Sequence, residues 1–240
     1  GLTEAEVSGA LLCLDVTERV VDEAITKGCN LIVAHHPLIF RKLSQVTDAN
    51  YVQRTVIKAI KNDIVIVAMH TNLDAAFGGV NFKIAEKLRL RDVRFFGREK
   101  VVTNPLTDKK VTGGDGVIGC FDTPLAADDL ILLLKKEFDV ECVQANELLR
   151  RDIRTVALCG GSGSFLLQDA INAGADAFIT GEMGYHEFFG HEQEIQLCVI
   201  GHYQSEQYTT EVLRDVIERD CPGVKCCISE INTNPIVYFS

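Results

Sequence analysis

The sequence predicts an α/β fold built on largely parallel sheets covered by helices. Apolar runs of strand length alternate with amphipathic stretches of helix length, and several of the strand runs end in histidine, aspartate or glycine. The rhythm breaks once, over roughly 95–150, and then resumes.

Residues 10–16 (ALLCLDV) read as a buried strand, and 18–28 as a helix that Thr17 caps. The next strand, 30–34 (NLIVA), stops at His35-His36-Pro37. A helix over 49–62 leads to the strand 64–69 (IVIVAM), which ends at His70-Thr71-Asn72-Leu73-Asp74. A helix from Gly79 to Leu88 closes this portion. In the middle stretch, Gly113-Gly114-Asp115-Gly116 reads as a loop, 117–121 as a strand, 126–138 as a helix and the surroundings of Val140 as a short strand. The rhythm returns with strands at 154–159, 176–180 and 195–200, a helix at 164–173 and a long helix at 203–219. Three portions result. A first αβ lobe over 1–94 carries His35, His36 and Asp74, and a short middle αβ segment covers 95–150. A second αβ portion over 151–240 carries a glycine loop, His202 and Glu206.

The 240 residues suffice for one large domain or two modest ones. A net charge of −10 argues against general nucleic-acid binding, which needs a concentrated positive face. The apolar runs are too short to cross a membrane. The opening Gly-Leu-Thr-Glu lacks the basic-then-apolar order of a signal peptide, so none is expected, and a start at Gly1 is compatible with native residues ahead of it. Nine cysteines occur without a C-x-x-C pair. Cys13, Cys159 and Cys198 lie in apolar runs, and Cys226-Cys227 are adjacent, so free thiols in a reducing compartment, the cytoplasm, are expected.

Ligands of parallel sheets bind at the carboxyl ends of strands. Three clusters sit there: His35-His36, His70 to Asp74, and His202 to Glu206. Pro37 pushes His36 towards extended backbone, where neighbouring side chains diverge, so two ions could take one imidazole each more readily than one could take both. His202 and Glu206, four apart, share a helix face. A strand-end histidine standing alone is usually a hydrogen-bonded structural residue, and H-x-x-x-E is usually an exposed ion pair. The combination of three imidazoles with two carboxylates points instead to two divalent ions of the Zn²⁺, Mn²⁺, Fe²⁺ or Co²⁺ class, with room for a bridging carboxylate and an activated water.

Several motifs carry a resemblance. LDVT (14–17), HHPLIF (35–40), HTNLDAA (70–76), GGVN (78–81), CGGSG (159–163), TGEMGYHE (180–187), GHYQSE (201–206) and TNPI (233–236) are similar to those of the NGG-interacting-factor-like family. Many of its members are labelled GTP cyclohydrolase I type 2. The resemblance runs from about Leu14 to Phe239. It implies two αβ lobes with largely parallel or mixed sheets, a dinuclear metal site in the cleft between them, and a toroidal homohexamer. It carries ligation onto His35, His36, Asp74, His202 and Glu206, with Glu206 as the bridging carboxylate. The family's usual N-terminal helix with its Trp-Asp-Asn segment, and the large inserted domain of longer relatives, have no counterpart in these residues. Gly181-Glu182 stands where the family usually reads Gly-Asp.

Gly160, Gly161, Ser162 and Gly163, between a strand and a helix, read equally as an anion cradle or as a tight turn. The spacing fits neither a P-loop nor a dinucleotide fingerprint. His186, beside Glu182 and Glu187, and His70 are candidates for proton transfer, with His70 also able to orient a ligand; packing or surface roles compete for both. The leading function is a metal-dependent hydrolase of a nucleotide-like or phosphorylated small molecule, with GTP cyclohydrolase activity implied by the resemblance alone. A metallophosphoesterase ranks lower, because Leu14-Asp15-Val16-Thr17 occupies the place of its Asp-x-His. The alternative class is a non-catalytic, metal-dependent binding or regulatory protein.

Overall fold

The computed structural model describes residues 1–104 and 107–239. The chain divides into two units, each built on its own sheet. The first comprises Gly1–Leu73 together with the segment from Thr209 on, and the second is Asp74–Tyr208. This division differs from the three portions expected at 1–94, 95–150 and 151–240, because the last stretch of chain returns to the first sheet.

The first unit begins with β1 (Ala10–Cys13), α1 (Glu18–Thr26), β2 (Leu31–Ala34), α2 (Tyr51–Lys61) and β3 (Val65–Ala68). The expected Thr17 cap forms, and Asn50 supplies a second that was not expected. Thr17 Oγ1 accepts from Val20 N at 3.3 Å, and Asn50 Oδ1 accepts from Gln53 N at 3.1 Å. β1 and β2 are continuous apolar runs because they are inner strands of a parallel sheet, whereas β3 lies at an edge and stays partly exposed. Leu11, Val20, Ala24, Ile32 and Ile64 form the core. A short helix, α3 (Thr71–Asp74), contains the boundary between the units, which falls after Leu73.

The second unit runs through α4 (Val80–Lys87), β4 (Arg91–Thr103), β5 (Lys110–Leu125), α5 (Ala127–Glu137), β6 (Gln144–Ala145) and β7 (Ile153–Cys159). It continues with α6 (Leu167–Asn172), β8 (Ala177–Thr180), β9 (Gln196–Val199) and α7 (His202–Glu206). Its sheet has the order β4-β5-β7-β8-β9-β6, with β7, β8 and β9 parallel and the remaining pairs antiparallel. Residues 113–116, expected as a loop, lie inside β5. A Cβ on Gly114 would come within 2.7 Å of the Phe95 ring, so glycine marks crowding in a strand rather than a turn. β4 was not expected at all. It is charged through Arg91, Asp92, Arg94, Arg98, Glu99 and Lys100, and register shifts on either side of Phe95 and Phe96 break its alternation. The short strand expected near Val140 lies at 144–145 instead; Val140 N caps α5 on Lys135 O at 3.0 Å.

The chain then re-enters the first unit with α8 (Thr209–Asp220) and β10 (Cys226–Ile228), which pairs in parallel with β1, Leu11 opposite Cys227. The single helix expected over 203–219 is therefore two. The β-branched pair Thr209-Thr210 weakens continuity at the break. On the other side of it, Gln207 Nε2 donates to Phe138 O at 2.8 Å and Tyr208 Oη to Glu137 O at 2.7 Å, holding α7 to the second unit. Among the described residues no helix is long and apolar enough to cross a membrane.

Candidate metal centre

In the first unit the histidines are placed by ladder bonds that outlast the strand. His35 N donates to Cys13 O at 3.1 Å and His36 N to Leu14 O at 2.9 Å. The backbone bends at both residues, so the rings do not diverge as extended chain would make them. Their centroids are 4.8 Å apart. His70, just past β3, brings its ring within 5.3 Å of His35 and 5.4 Å of His36. One ring nitrogen from each of the three histidines lies within 4.8 Å of the others, which makes them a candidate metal-ligand group. His70 is thus a candidate donor as well as a candidate for the proton-transfer or orienting role expected of it.

The hydrogen bonds assign the ring nitrogens. His35 Nδ1 is 2.9 Å from Met69 O. A carbonyl only accepts, so Nδ1 carries the proton and, in the neutral ring, Nε2 holds the lone pair. His36 Nδ1 is 2.8 Å from Asp15 Oδ1, and Asp15 Oδ2 accepts from Thr233 Oγ1 at 2.7 Å. Asp15 is a candidate orienting residue that sequence reasoning did not single out. Its signal was a lone carboxylate closing the otherwise apolar run 10–16.

In the second unit, α7 places His202 and Glu206 on one face, with His202 Nε2 3.1 Å from Glu206 Oε2. His202 Nδ1 is 2.9 Å from Glu182 Oε1, and the Ser162 hydroxyl donates to Glu182 Oε2. The oxygen on Nδ1 repeats the pattern of the first unit, while Nε2 faces the Glu206 carboxylate. The Ser162 hydrogen bond, followed by His202, holds the Glu182 carboxyl below the usual range. The hydrogen bond to Glu206, followed by its charge and that of Glu182, holds His202 above the usual imidazole value despite burial. Asp74 lies with this group: one of its oxygens is within 4.8 Å of a Glu206 oxygen. The Cys159 thiol, pushed up to about 12 by burial and then by the charges of Asp74 and Glu206, donates to Asp115 O at 3.2 Å. In this setting the thiol is held in its protonated form.

The glycine segment is a floor under Glu206. The N–H groups of Gly160, Gly161 and Gly163 are bound by Asn81 Oδ1 at 2.9 Å, Ser205 Oγ at 2.9 Å and Thr180 Oγ1 at 3.0 Å. These donors face side chains of the same unit rather than converging on an anion, which favours the tight-turn reading over the cradle. Gly161 has φ +60°, and a Cβ there would collide with Glu206 Oε1. His186 belongs to none of the candidate metal-ligand groups among the described residues; it is exposed, between Tyr185 and Phe189.

The donor set suits a borderline divalent ion. The first unit offers imidazoles alone, and the second one imidazole with two carboxylates, most of them oriented by an oxygen at Nδ1 or by a buried helix.

Comparison with known proteins follows the same lines. The family model described as Duf34/NIF3 (NGG1p interacting factor 3) matches residues 1–235. A Clostridium perfringens protein named GTP cyclohydrolase 1 type 2 homolog is 32% identical, covering 100% of this chain and 89% of its own. A Lactococcus lactis protein of the same name is 31% identical over 96% of this chain and 85% of its own. The crystal structure of Staphylococcus aureus protein SA1388 superposes with a TM-score of 0.88 at 27% identity, covering 100% of this chain and 90% of that one. A Bacillus cereus protein related to NIF3 shares the fold, with a TM-score of 0.82 at 24% identity over 100% and 91% of the two chains.

Proposed function

The chain belongs to the Duf34/NIF3 family, and from that premise we propose that it is a metal-dependent hydrolase of a nucleotide-like or phosphorylated small molecule. In this reading His35, His36, Asp74, His202 and Glu206 would hold two divalent ions. The observation that carries the reading is the recurring tautomer pattern: His35, His36 and His202 each have Nδ1 against an oxygen, at 2.9, 2.8 and 2.9 Å. Metal-ligating histidines characteristically show such alignments; His191 pairs its Nδ1 with Glu194 Oε2 in the same way but, unlike those three, belongs to no candidate metal-ligand group among the described residues.

Ions so held would supply Lewis acidity for adding water to an electrophilic carbon or phosphorus. The chain's own residues do the rest. Met69 O, Asp15 and Glu182 fix the imidazole tautomers. Ser162 and Thr233 hold the two carboxylates in place. His70, within 5.6 Å of the Phe40 ring and beside His35 and His36, moves the proton released or taken up during hydrolysis. The finest form of the reading, opening of the guanine ring of GTP, takes its support from the names of the relatives. We also carry forward a homohexamer, from the family resemblance, and a cytoplasmic setting, which the nine free thiols favour.

Elemental analysis of wild type, His36→Ala and Glu206→Ala tests the site. About two ions per wild-type chain, falling sharply in both variants, is expected. A wild type that takes up no added Zn²⁺, Mn²⁺ or Fe²⁺ overturns the proposal. A metal-replete protein that hydrolyses nothing on a panel of nucleotides and phosphoesters moves the assignment to a binding protein.

A further inference from the structure

The loop that follows Glu182 carries a cluster that the metal ligands do not use. Tyr185, His186 and Phe189 are exposed, the tyrosine at 74% and Phe189 at 57%. Their rings nevertheless meet. Tyr185 stands edge-on to His186 at 5.2 Å and to Phe189 at 5.3 Å, and His186 stacks on Phe189 at 6.2 Å with 29° between planes. Three aromatic rings gathered in solvent mark a contact surface rather than a packing need.

The loop is braced in a way that surface aromatics do not require. Gly181 N and Glu182 N both donate to Gly161 O at 3.0 Å, tying the base of the loop to the glycine turn. Within it, Gly184 N donates to Glu187 Oε2 at 2.6 Å and Glu187 N to Gly184 O at 2.9 Å. The rings are therefore presented on fixed backbone, which limits the ordering entropy lost when something stacks on them. Tyr185 is three residues from Glu182, the carboxylate on His202 Nδ1. Three residues span at most about 10 Å of backbone, so a ligand of nucleotide size on the rings has the length to reach the Glu182–His202 pair.

The charge around the rings selects which end of such a ligand they meet. Glu182 and Glu187 flank the cluster, and each carboxylate has about four lone-pair positions, more than the bonds described above use. Phosphate is repelled there, whereas a heterocycle edged with N–H donors is attracted.

We propose that Tyr185, His186 and Phe189 form a stacking platform for the base of a purine nucleotide, with the donor edge of a guanine-type ring turned to the flanking glutamates. The assignment rests on the nucleotide-hydrolase reading above and names its substrate class. A second copy of the chain is the competing occupant.

Calorimetric titration of the full chain with GMP, and with ribose 5-phosphate as the probe lacking a base, tests the platform. Metal content and particle mass are measured on the same samples. Wild type binds GMP more tightly than ribose 5-phosphate. Tyr185→Ala and Phe189→Ala each weaken GMP at least about fivefold, leave ribose 5-phosphate unchanged, and keep the wild-type metal content; Tyr185→Phe binds as wild type. The platform is overturned by equal GMP affinity in the alanine variants and wild type. It is overturned also by no wild-type preference for GMP, or by a GMP loss that comes with a change in particle mass, which would give the rings to self-association. A protein that takes up no metal yet binds GMP through these rings supports the platform while sinking the metallohydrolase. Full metal content with ring-independent GMP binding does the reverse.

Discussion

His36 holds its Nδ1 2.8 Å from Asp15 Oδ1, and that one bond joins the end of β1 to the end of β2 at the site. Asp15 is itself fixed through its other oxygen by Thr233. Removing the carboxylate leaves the imidazole in place but frees its tautomer and orientation. Asp15→Ala is expected to weaken metal binding by about 10–100-fold while the chain stays folded. Competition against a chelator of known affinity measures it; unchanged affinity would mean the bond is structural only.

Gly161 combines a left-handed backbone with a closest neighbour in Glu206. Gly161→Ala should lower stability by about 1–3 kcal/mol and reduce metal content, because Glu206 must move to admit the methyl group. Gly174→Ala is the control. Its φ is +73°, with open space around the added carbon, so it should lower stability without changing metal content. Thermal melts and elemental analysis on both variants separate strain from displacement.

Asp176 is the acid-sensitive anchor of the second sheet. Its Oδ2 accepts from Arg154 N at 3.0 Å and Thr155 N at 2.9 Å, and Arg151 donates to Oδ1. The two backbone bonds, with Arg151, hold its carboxyl below the usual aspartate range against the opposing effect of burial. A group whose folded pKa is depressed stabilises above its unfolded pKa, and that contribution disappears as pH falls through the folded value. Asp176→Ala should therefore lower stability at pH 7 by about 2 kcal/mol, with the difference from wild type closing below roughly pH 4. Denaturant melts across that range check it.

Thiol chemistry should divide along burial. Cys142 and Cys221 are exposed, whereas Cys159 and Cys198 are buried and pushed up to about 12, and burial raises Cys13 as well. A disulfide reagent at pH 8 should label the first two quickly and leave Cys13, Cys159 and Cys198 until the protein is unfolded. Rapid modification of Cys159 in the native protein would contradict the environment described for it.

The parallel strands other than β10, and the Thr17 cap, were legible in the sequence because each rests on local information: continuous apolar runs and a side-chain oxygen just ahead of a helix. So were the three strand-end clusters, since each motif is contiguous. What escaped had causes beyond the local pattern. β4 hid behind its charges, and β5 behind glycines that exist to admit Phe95. The break before Thr209 has neither glycine nor proline to announce it. The role of Asp15 depends on His36, 21 residues away, and the occupation of the glycine turn's N–H groups depends on Asn81, Thr180 and Ser205, none of them its sequence neighbours. Such pairings become visible only in three dimensions.

The pairing of β10 with β1 sets an order of assembly. During synthesis the whole of Asp74–Tyr208 emerges before the strand that completes the first sheet, so β1 must wait with one edge open while the inserted unit acquires its fold. A chain that has released the whole of Asp74–Tyr208 from the ribosome, but not yet Cys226, would thus hold a complete second sheet beside a first one whose β1 edge is open to other strands.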